Sequence, residues 1–267
     1  MAKPGANSMR FIQISDCHLG PLTSEALLGL NTDESLHDVL ALIAEKEPDF
    51  DYMVCTGDIA SAGHDACYKR FVSIVRQYFS QPLAWLPGNH DNPKNMATFP
   101  RQMVWIEDFS LGQWQFLLLN SRIPFEEGGE LSPGELARLE RALSLRPERN
   151  TLILLHHQPV PVGSEWIDQY VVKNAPQFFA LLERFPNVKA VSWGHVHQAF
   201  EATRGALKLF ASPSTCVQFT PESQNFQVDH LMPGCRSYLL YPDGSIESTV
   251  LRAKDRIYCI DYSSTGY

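Results

Sequence analysis

The stretch LPGNHDNP, residues 86–93, closes the apolar run PLAWL (82–86) with Pro87 and Gly88, then sets Asn89, His90 and Asp91 side by side. Asn, Asp, Gly and Pro all favour turns, so by itself the segment reads as a polar loop. Its meaning changes when the other apolar runs are compared at their ends. MRFIQIS (9–15) leads into Asp16 and His18, and DYMVCT (51–56) into Gly57 and Asp58. TLILLH (151–156) ends on His156 with His157 after it, and VKAVSW (188–193) leads into Gly194, His195 and His197. A solvated strand end explains any one of these. Polar loops give no reason for His18, His90, His156, His195 and His197, out of 9 histidines in all, to gather at such points.

These runs, with WQFLLLN (114–120), read as buried strands, several of them apolar at nearly every position. Helical patterns lie between them. Phe71, Ile74, Val75 and Tyr78 fall at helical spacing. SPGELARLERALS (132–144) opens with Ser132 as cap, Pro133 at the first position and Glu135 placed for a capping box. After residue 205 the pattern changes to strands and turns: KLFAS (208–212), RSYLLY (236–241) and SIESTV (245–250), with PDG (242–244) as a hairpin-like turn. The expectation is an α/β body completed by further strands. It divides into a flexible N-terminus (1–8), a single domain (9–254) and a mobile C-terminal tail (255–267). In such folds polar residues at the carboxyl ends of buried strands converge on one edge.

The bulk properties limit what that edge is for. A chain of 267 residues, 44% hydrophobic, can bury a sizeable core. Its 30 acidic and 22 basic residues give a formal charge of -8 without any Lys/Arg run, which argues against nucleic acid and anionic lipid as partners. The start, MAKPGANSMRFIQIS (1–15), has no apolar stretch long enough for a signal peptide, and no later run approaches a membrane span. The 6 cysteines lack CxxC spacing and suit reduced thiols. Together these features predict a cytoplasmic protein with no membrane partner. They assign no oligomeric state.

The period-two spacing of Asp16 and His18 puts both on one side of an extended chain with Cys17 facing away, and His195 and His197 repeat it beside Gly194. His37, in a predicted helix, His64, near a helix start, and His230, in a loop, read as structural or solvated. His157 points opposite to His156 and reads as a supporting or substrate-facing group rather than a ligand. Oxygen and nitrogen donors without thiolate suit iron, manganese or zinc. The set Asp16, His18, Asp58, Asn89, His156, His195 and His197 is too large for one tetrahedral zinc. It suits two divalent ions about 3.5–4 Å apart, bridged by a carboxylate and a hydroxide, as in displacement at phosphorus.

In this order and on strand ends, DCH (16–18), GD (57–58), GNHD (88–91), His156 and GHVH (194–197) resemble the five blocks of the calcineurin-like metallophosphoesterase superfamily. LLGLNTDES (27–35), WLPGNHD (85–91), HHQPVPVGSEW (156–166), PSTCVQFTPESQNFQVD (213–229) and PGCRSYLLYPDG (233–244) are further similar to bacterial class III 3′,5′-cyclic-AMP phosphodiesterases. The resemblance spans about residues 9–250 and implies a four-layer α-β-β-α sandwich. It implies one metal on Asp16, His18 and His197, a second on Asn89, His156 and His195, and Asp58 bridging both. Iron or manganese is the expected pair, with zinc permitted.

The implied reaction is hydrolysis of cyclic AMP to 5′-AMP by a metal-activated hydroxide, with His90 acting on the phosphate and the departing 3′ oxygen. His18, Asp58, Asn89, His90 and His197 surround the phosphate. Two divalent ions and two ligand carboxylates sum to about +2, enough to attract a phosphodiester anion despite the acidic surface. One departure stands out: relatives often carry three consecutive histidines where this chain has HHQ, which puts in doubt any role for a third imidazole at Gln158. The residues show no adenine-reading motif. Other small diesters, 2′,3′-cyclic nucleotides or glycerophosphodiesters, remain alternatives, as does a non-catalytic nucleotide or metal sensor. Asp91 either orients His90 or stabilises the turn.

Overall fold

The computed structural model describes residues 8–99, 108–254 and 256–266. Of the predicted flexible N-terminus, residues 1–7 lie outside the described residues. Two sheets form the body. The first has the order Ile246–Arg252, Gly234–Leu240, Met9–Ile14, Tyr52–Cys55, Leu83–Trp85, with the last three strands parallel. The second has the order Phe200–Arg204, Leu207–Ala211, Val188–Trp193, Asn150–Leu154, Trp114–Leu118, Asp108–Leu111, with the inner four parallel.

Alternation along the strands divides the side chains among three cores. Phe11, Val54, Ala84 and Tyr238 from the first sheet meet Phe116, Leu118, Leu152, Leu154 and Phe210 from the second, forming the layer between the sheets. Ile12, Ile14, Met53 and Trp85 face the other way, under helices Thr32–Lys46 and Asp65–Tyr78. Leu117, Ile153, Val191 and Trp193 face helices Pro133–Leu145 and Ala175–Leu182. The result is the four-layer α-β-β-α sandwich that the resemblance implies. Each fully buried Leu, Ile or Phe stabilises it by roughly 1.5–3 kcal/mol before the entropy cost of ordering.

Local details refine the expectations. Ser132 Oγ accepts the Glu135 N–H at 3.1 Å as predicted, but the reciprocal half of the capping box is not made. The Glu135 carboxylate instead accepts the Asn120 N–H at 2.8 Å and an Arg138 N–H at 2.8 Å, fastening the helix start to a strand end. Strands Asp108–Leu111 and Phe200–Arg204 are sheet edges that remain half exposed, so they carry no apolar run for the sequence to show. His37 bonds the Tyr78 hydroxyl at 3.0 Å, His64 is exposed ahead of helix Asp65–Tyr78 and makes no side-chain cap bond, and the exposed His230 lies against Tyr262 with ring centroids 4.1 Å apart, so all three stand apart from the strand ends.

The predicted tail lies on the body. Arg256 pairs with Glu34 at 2.7 Å and Asp38 at 2.9 Å, and Tyr258 and Ile260 pack on the core under the second sheet. Among the described residues no helix is long and apolar enough to cross a membrane, and 5 of the 6 cysteines are buried free thiols.

Candidate metal centre

The predicted donors sit on loops that leave the carboxyl ends of parallel strands in both sheets, and the sandwich brings those ends together. Asp16 (φ 55°), His18 (φ 47°), Asp58 (φ 50°), His195 (φ 64°) and His197 (φ 50°) all adopt left-handed backbone. Such a conformation costs a non-glycine residue about 1–3 kcal/mol and persists only where its surroundings enforce it. The Asp16 N–H donates to Gly57 O at 3.0 Å and the His18 N–H to Asp58 O at 2.9 Å, lacing two of these loops together. Asp16 and His18 thus share a side, as do His195 and His197, through successive left-handed turns. The extended pleat that the spacing suggests is not what places them.

Two glycines make room. A Cβ on Gly88 would lie 2.1 Å from Asp58 Oδ1, and one on Gly194 would lie 2.0 Å from Ser15 Oγ and 2.8 Å from Asp16 Oδ2. Only hydrogen fits at either position.

Asp16, His18, Asp58, His156, His195 and His197 are buried, while Asn89 and His90 sit half-buried at the lip. His18 Nε2 lies 3.1 Å from His197 Nε2, and His197 Nε2 lies 3.6 Å from Asp16 Oδ1. His156 Nε2 lies 3.0 Å from Asn89 Oδ1 and 3.2 Å from Asp58 Oδ2, and Asp58 Oδ2 lies 3.8 Å from His18 Nε2. Asp58 therefore stands between a His18–His197–Asp16 group and a His156–Asn89 group, with the His195 ring 5.0 Å from that of His156. The structure brings all seven predicted donors to one place.

The hydrogen bonds behind the rings decide which nitrogen faces inward. A carbonyl only accepts, so His156 Nδ1–H donates to Thr56 O at 2.8 Å and His197 Nδ1–H to Val217 O at 2.9 Å. In the neutral form of both rings Nε2 then carries a lone pair. Lone pairs and carboxylate oxygens crowded at these distances repel, and the buried His195 Nε2 has no hydrogen-bond partner. Cations placed among the donors would remove both difficulties, so the residues present fit the metals that this donor chemistry implies.

Burial keeps most of the imidazoles neutral. It lowers His18 and His195 well below the usual histidine range and His197 to about 3. Burial also opposes charge on His156, but the carboxylates of Asp58 and Asp16 overcome it and raise that ring to about 9. Asp58 is held well below the carboxylate range, burial being outweighed chiefly by His156. Burial pushes Asp16 up to about 7, with His156 opposing and the Asp58 charge reinforcing. Without a cation, a proton on His156 partners Asp58.

The supporting groups resolve the open questions of the sequence. Asp91 accepts from the backbone N–H groups of Gly88 at 3.0 Å, Ala60 at 3.1 Å and Ile59 at 3.3 Å and from the Tyr68 hydroxyl at 3.0 Å, so it stabilises the turn. His90 is oriented by a carbonyl instead: its Nδ1–H donates to Ser61 O at 3.1 Å, and its backbone N–H donates to Asp58 Oδ1 at 2.9 Å. His157 is held by two contacts away from Asp58. Its Nε2–H donates to Glu127 O at 3.0 Å, and Nδ1 accepts from the Ser121 hydroxyl at 2.8 Å. Gln158 donates to Ile167 O at 2.8 Å, an anchor for the segment behind the site rather than a donor within it. Sequence reading misses Thr56, Ser61 and Val217, which act through backbone carbonyls, a group that every residue has.

A two-sheet sandwich with Asp, Asn and His donors converging on one edge defines a metal-dependent phosphoester hydrolase. The chain belongs to the calcineurin-like phosphoesterase family, whose pattern matches residues 9–199, and that family works with a dinuclear metal centre. The 3′,5′-cyclic adenosine monophosphate phosphodiesterase CpdA of Escherichia coli is 41% identical over 270 residues, covering 98% of this chain and 96% of the relative. The enzyme of the same name from Pseudomonas aeruginosa is 38% identical over 261 residues, covering 97% and 96%. A dimetal phosphatase from Danio rerio shares the fold at a TM-score of 0.62, with 16% identity, over 94% of this chain and all of that one.

Proposed function

We propose that the chain hydrolyses 3′,5′-cyclic AMP to 5′-AMP at a centre of two divalent ions, iron or manganese. The observation that carries this reading is the position of Asp58, within 3.8 Å of His18 Nε2 and 3.2 Å of His156 Nε2, where one carboxylate can serve two neighbouring ions. Asp16, His18 and His197 would hold one ion and Asn89, His156 and His195 the other. Bound there, the ions supply positive charge for the phosphate and a water of lowered pKa, from 15.7 to about 7 in favourable sites.

The protein's own groups do the rest. The left-handed loops and the buried Nδ1–H bonds fix the donors in advance, so little reorganisation accompanies the reaction. His18, Asp58, Asn89, His90 and His197 surround the phosphate. His90 stands at the lip with its Nδ1 proton committed to Ser61 O, so that when the ring carries a second proton, as imidazolium, Nε2 is the atom that passes it to the departing 3′ oxygen and the ring is left neutral. Its ring lies 5.0 Å from that of His18, close enough to act on a phosphate held beside the first group. The full-length similarity to cyclic AMP phosphodiesterases supports this substrate over other small diesters. A cytoplasmic location accords with buried, unpaired thiols.

The test is turnover by metal-analysed protein loaded with Mn²⁺ or Fe²⁺, offered cyclic AMP, a 2′,3′-cyclic nucleotide and a glycerophosphodiester in competition. The expected result is preferential conversion of cyclic AMP to 5′-AMP. Binding without turnover would make the protein a sensor, and preference for another diester would replace the substrate.

A further inference from the structure

Beside the candidate centre lies a cavity of about 260 Å³ that the chemistry above does not use. Its inner end is Asn89, His90 and His195; its walls are Trp166, Tyr170 and Phe226; Thr265 and Gly266 of the C-terminal segment close it. The aromatic rings are tied to the metal-binding histidines. Phe219 stacks flat on His197 with centroids 4.3 Å apart, Trp166 meets Phe219 at 5.1 Å and Phe226 at 5.0 Å, and Tyr170 meets His195 edge-on at 6.1 Å. A flat ligand in this cavity would be attached to a phosphate at the centre.

Trp166 adds a polar request. Its indole N–H is buried and has no acceptor among the described residues, although Trp normally finds one when buried. A purine ring nitrogen is an acceptor on a flat aromatic frame, and supplies both of the things the pocket lacks. We infer that this cavity is the nucleobase subsite, with Trp166 donating to a purine ring nitrogen and the C-terminal segment forming its outer wall. The inference rests on the cyclic-nucleotide reading given above.

Two further features position the subsite. Gln158 donates to Ile167 O at 2.8 Å and thereby holds the short helix Glu165–Asp168 that presents Trp166. The tail is pinned by the Asp261 N–H on Leu28 O at 2.8 Å and by Tyr262 against His230, which delivers Thr265 and Gly266 to the cavity mouth. The groove on the other side of His90, lined by Lys94, Arg122 and the exposed Phe125, offers cations where an uncharged base needs none. The single phosphate of a cyclic nucleotide is already accounted for at the centre.

The experiment compares kcat/KM for cyclic AMP with that for methyl p-nitrophenyl phosphate, a diester without a base, on metal-loaded protein. Trp166→Phe keeps the ring and removes the N–H; the ratio should fall about three- to tenfold. Trp166→Ala removes the stacking face as well, and the ratio should fall about 10- to 100-fold. Gly266→Phe, at a position whose Cβ would have nothing within 4 Å, should lower the ratio by filling the mouth. Calorimetric affinity for 5′-AMP should weaken in the same order. Unchanged ratios and affinities in all three variants overturn the inference, as does a collapse of the ratio in Arg122→Ala alone. A wild-type protein that cleaves methyl p-nitrophenyl phosphate but not cyclic AMP overturns the substrate reading instead.

Discussion

Two buried polar clusters lie one layer apart on the same strands, and they solve the cost of burial in opposite ways. Between the sheets, Gln13 donates to Thr56 Oγ1 at 2.9 Å and Trp193 O at 3.0 Å, and accepts from Ser192 at 2.6 Å and Tyr238 at 2.8 Å. That network closes on itself with every amide group used. At the carboxyl ends of those strands the imidazoles and carboxylates face one another with only the His156–Asp58 pair, 3.2 Å apart, to offset their charge, and His195 Nε2 is left without a hydrogen-bond partner. The first cluster binds the sheets together. The second is held in an unfavourable arrangement by the backbone and waits for something positive from outside.

The sharpest way to break this contrast is Asp58→Ala. The variant should lose bound metal and nearly all hydrolysis, about three decades or more, because it removes the carboxylate that stands 3.2 Å from His156 Nε2 and 3.8 Å from His18 Nε2. Elemental analysis and turnover check it, and a variant that kept both ions and normal turnover would remove Asp58 from the bridge. His90→Ala should keep its metal content and slow hydrolysis by about two to four decades. An unchanged rate across the pH range would take His90 out of the chemistry.

Acidity probes the same boundary. His156 is raised to about 9, so below that pH a proton occupies the position beside Asp58 that a cation needs. Loading must expel it, which makes binding weaker as pH falls and constant above about 9. Mn²⁺ affinity of the apoprotein at the site that includes His156, measured by calorimetry, should tighten about tenfold per pH unit between roughly 7 and 9, with about one proton released from His156 as that ion binds at the lower end. A flat profile would mean that His156 is already neutral. The smallest effect belongs to the other cluster: Gln13→Ala should cost about 1–3 kcal/mol of folding stability by leaving buried partners unsatisfied, with metal content intact. Denaturant melts of metal-loaded protein decide this, and loss of metal with unchanged stability would erase the distinction between the two clusters.

The donor-bearing strands are legible in the sequence because each is an apolar run that leads into polar residues, whereas the half-exposed edge strands Asp108–Leu111 and Phe200–Arg204 show no such run. Asp16, Asp58, Asn89, His156 and His195 are found simply by reading past the last buried residue of a strand. What could not be read is how those residues are oriented. Period-two spacing correctly grouped Asp16 with His18, yet the backbone there is left-handed, a choice set by neighbouring loops and not by the residues' own preference. The carbonyls of Thr56, Ser61 and Val217 leave no trace in side-chain identity. Trp166, Tyr170 and Phe226 meet only through tertiary packing, and an aromatic at such a position reads as ordinary core until the cavity is seen.

The five left-handed donors also bear on engineering. Anyone wishing to transplant this centre to a different scaffold would have to copy the corners that carry the side chains, because the same aspartates and histidines set on ordinary pleated backbone would aim past one another. The portable unit is the set of bends.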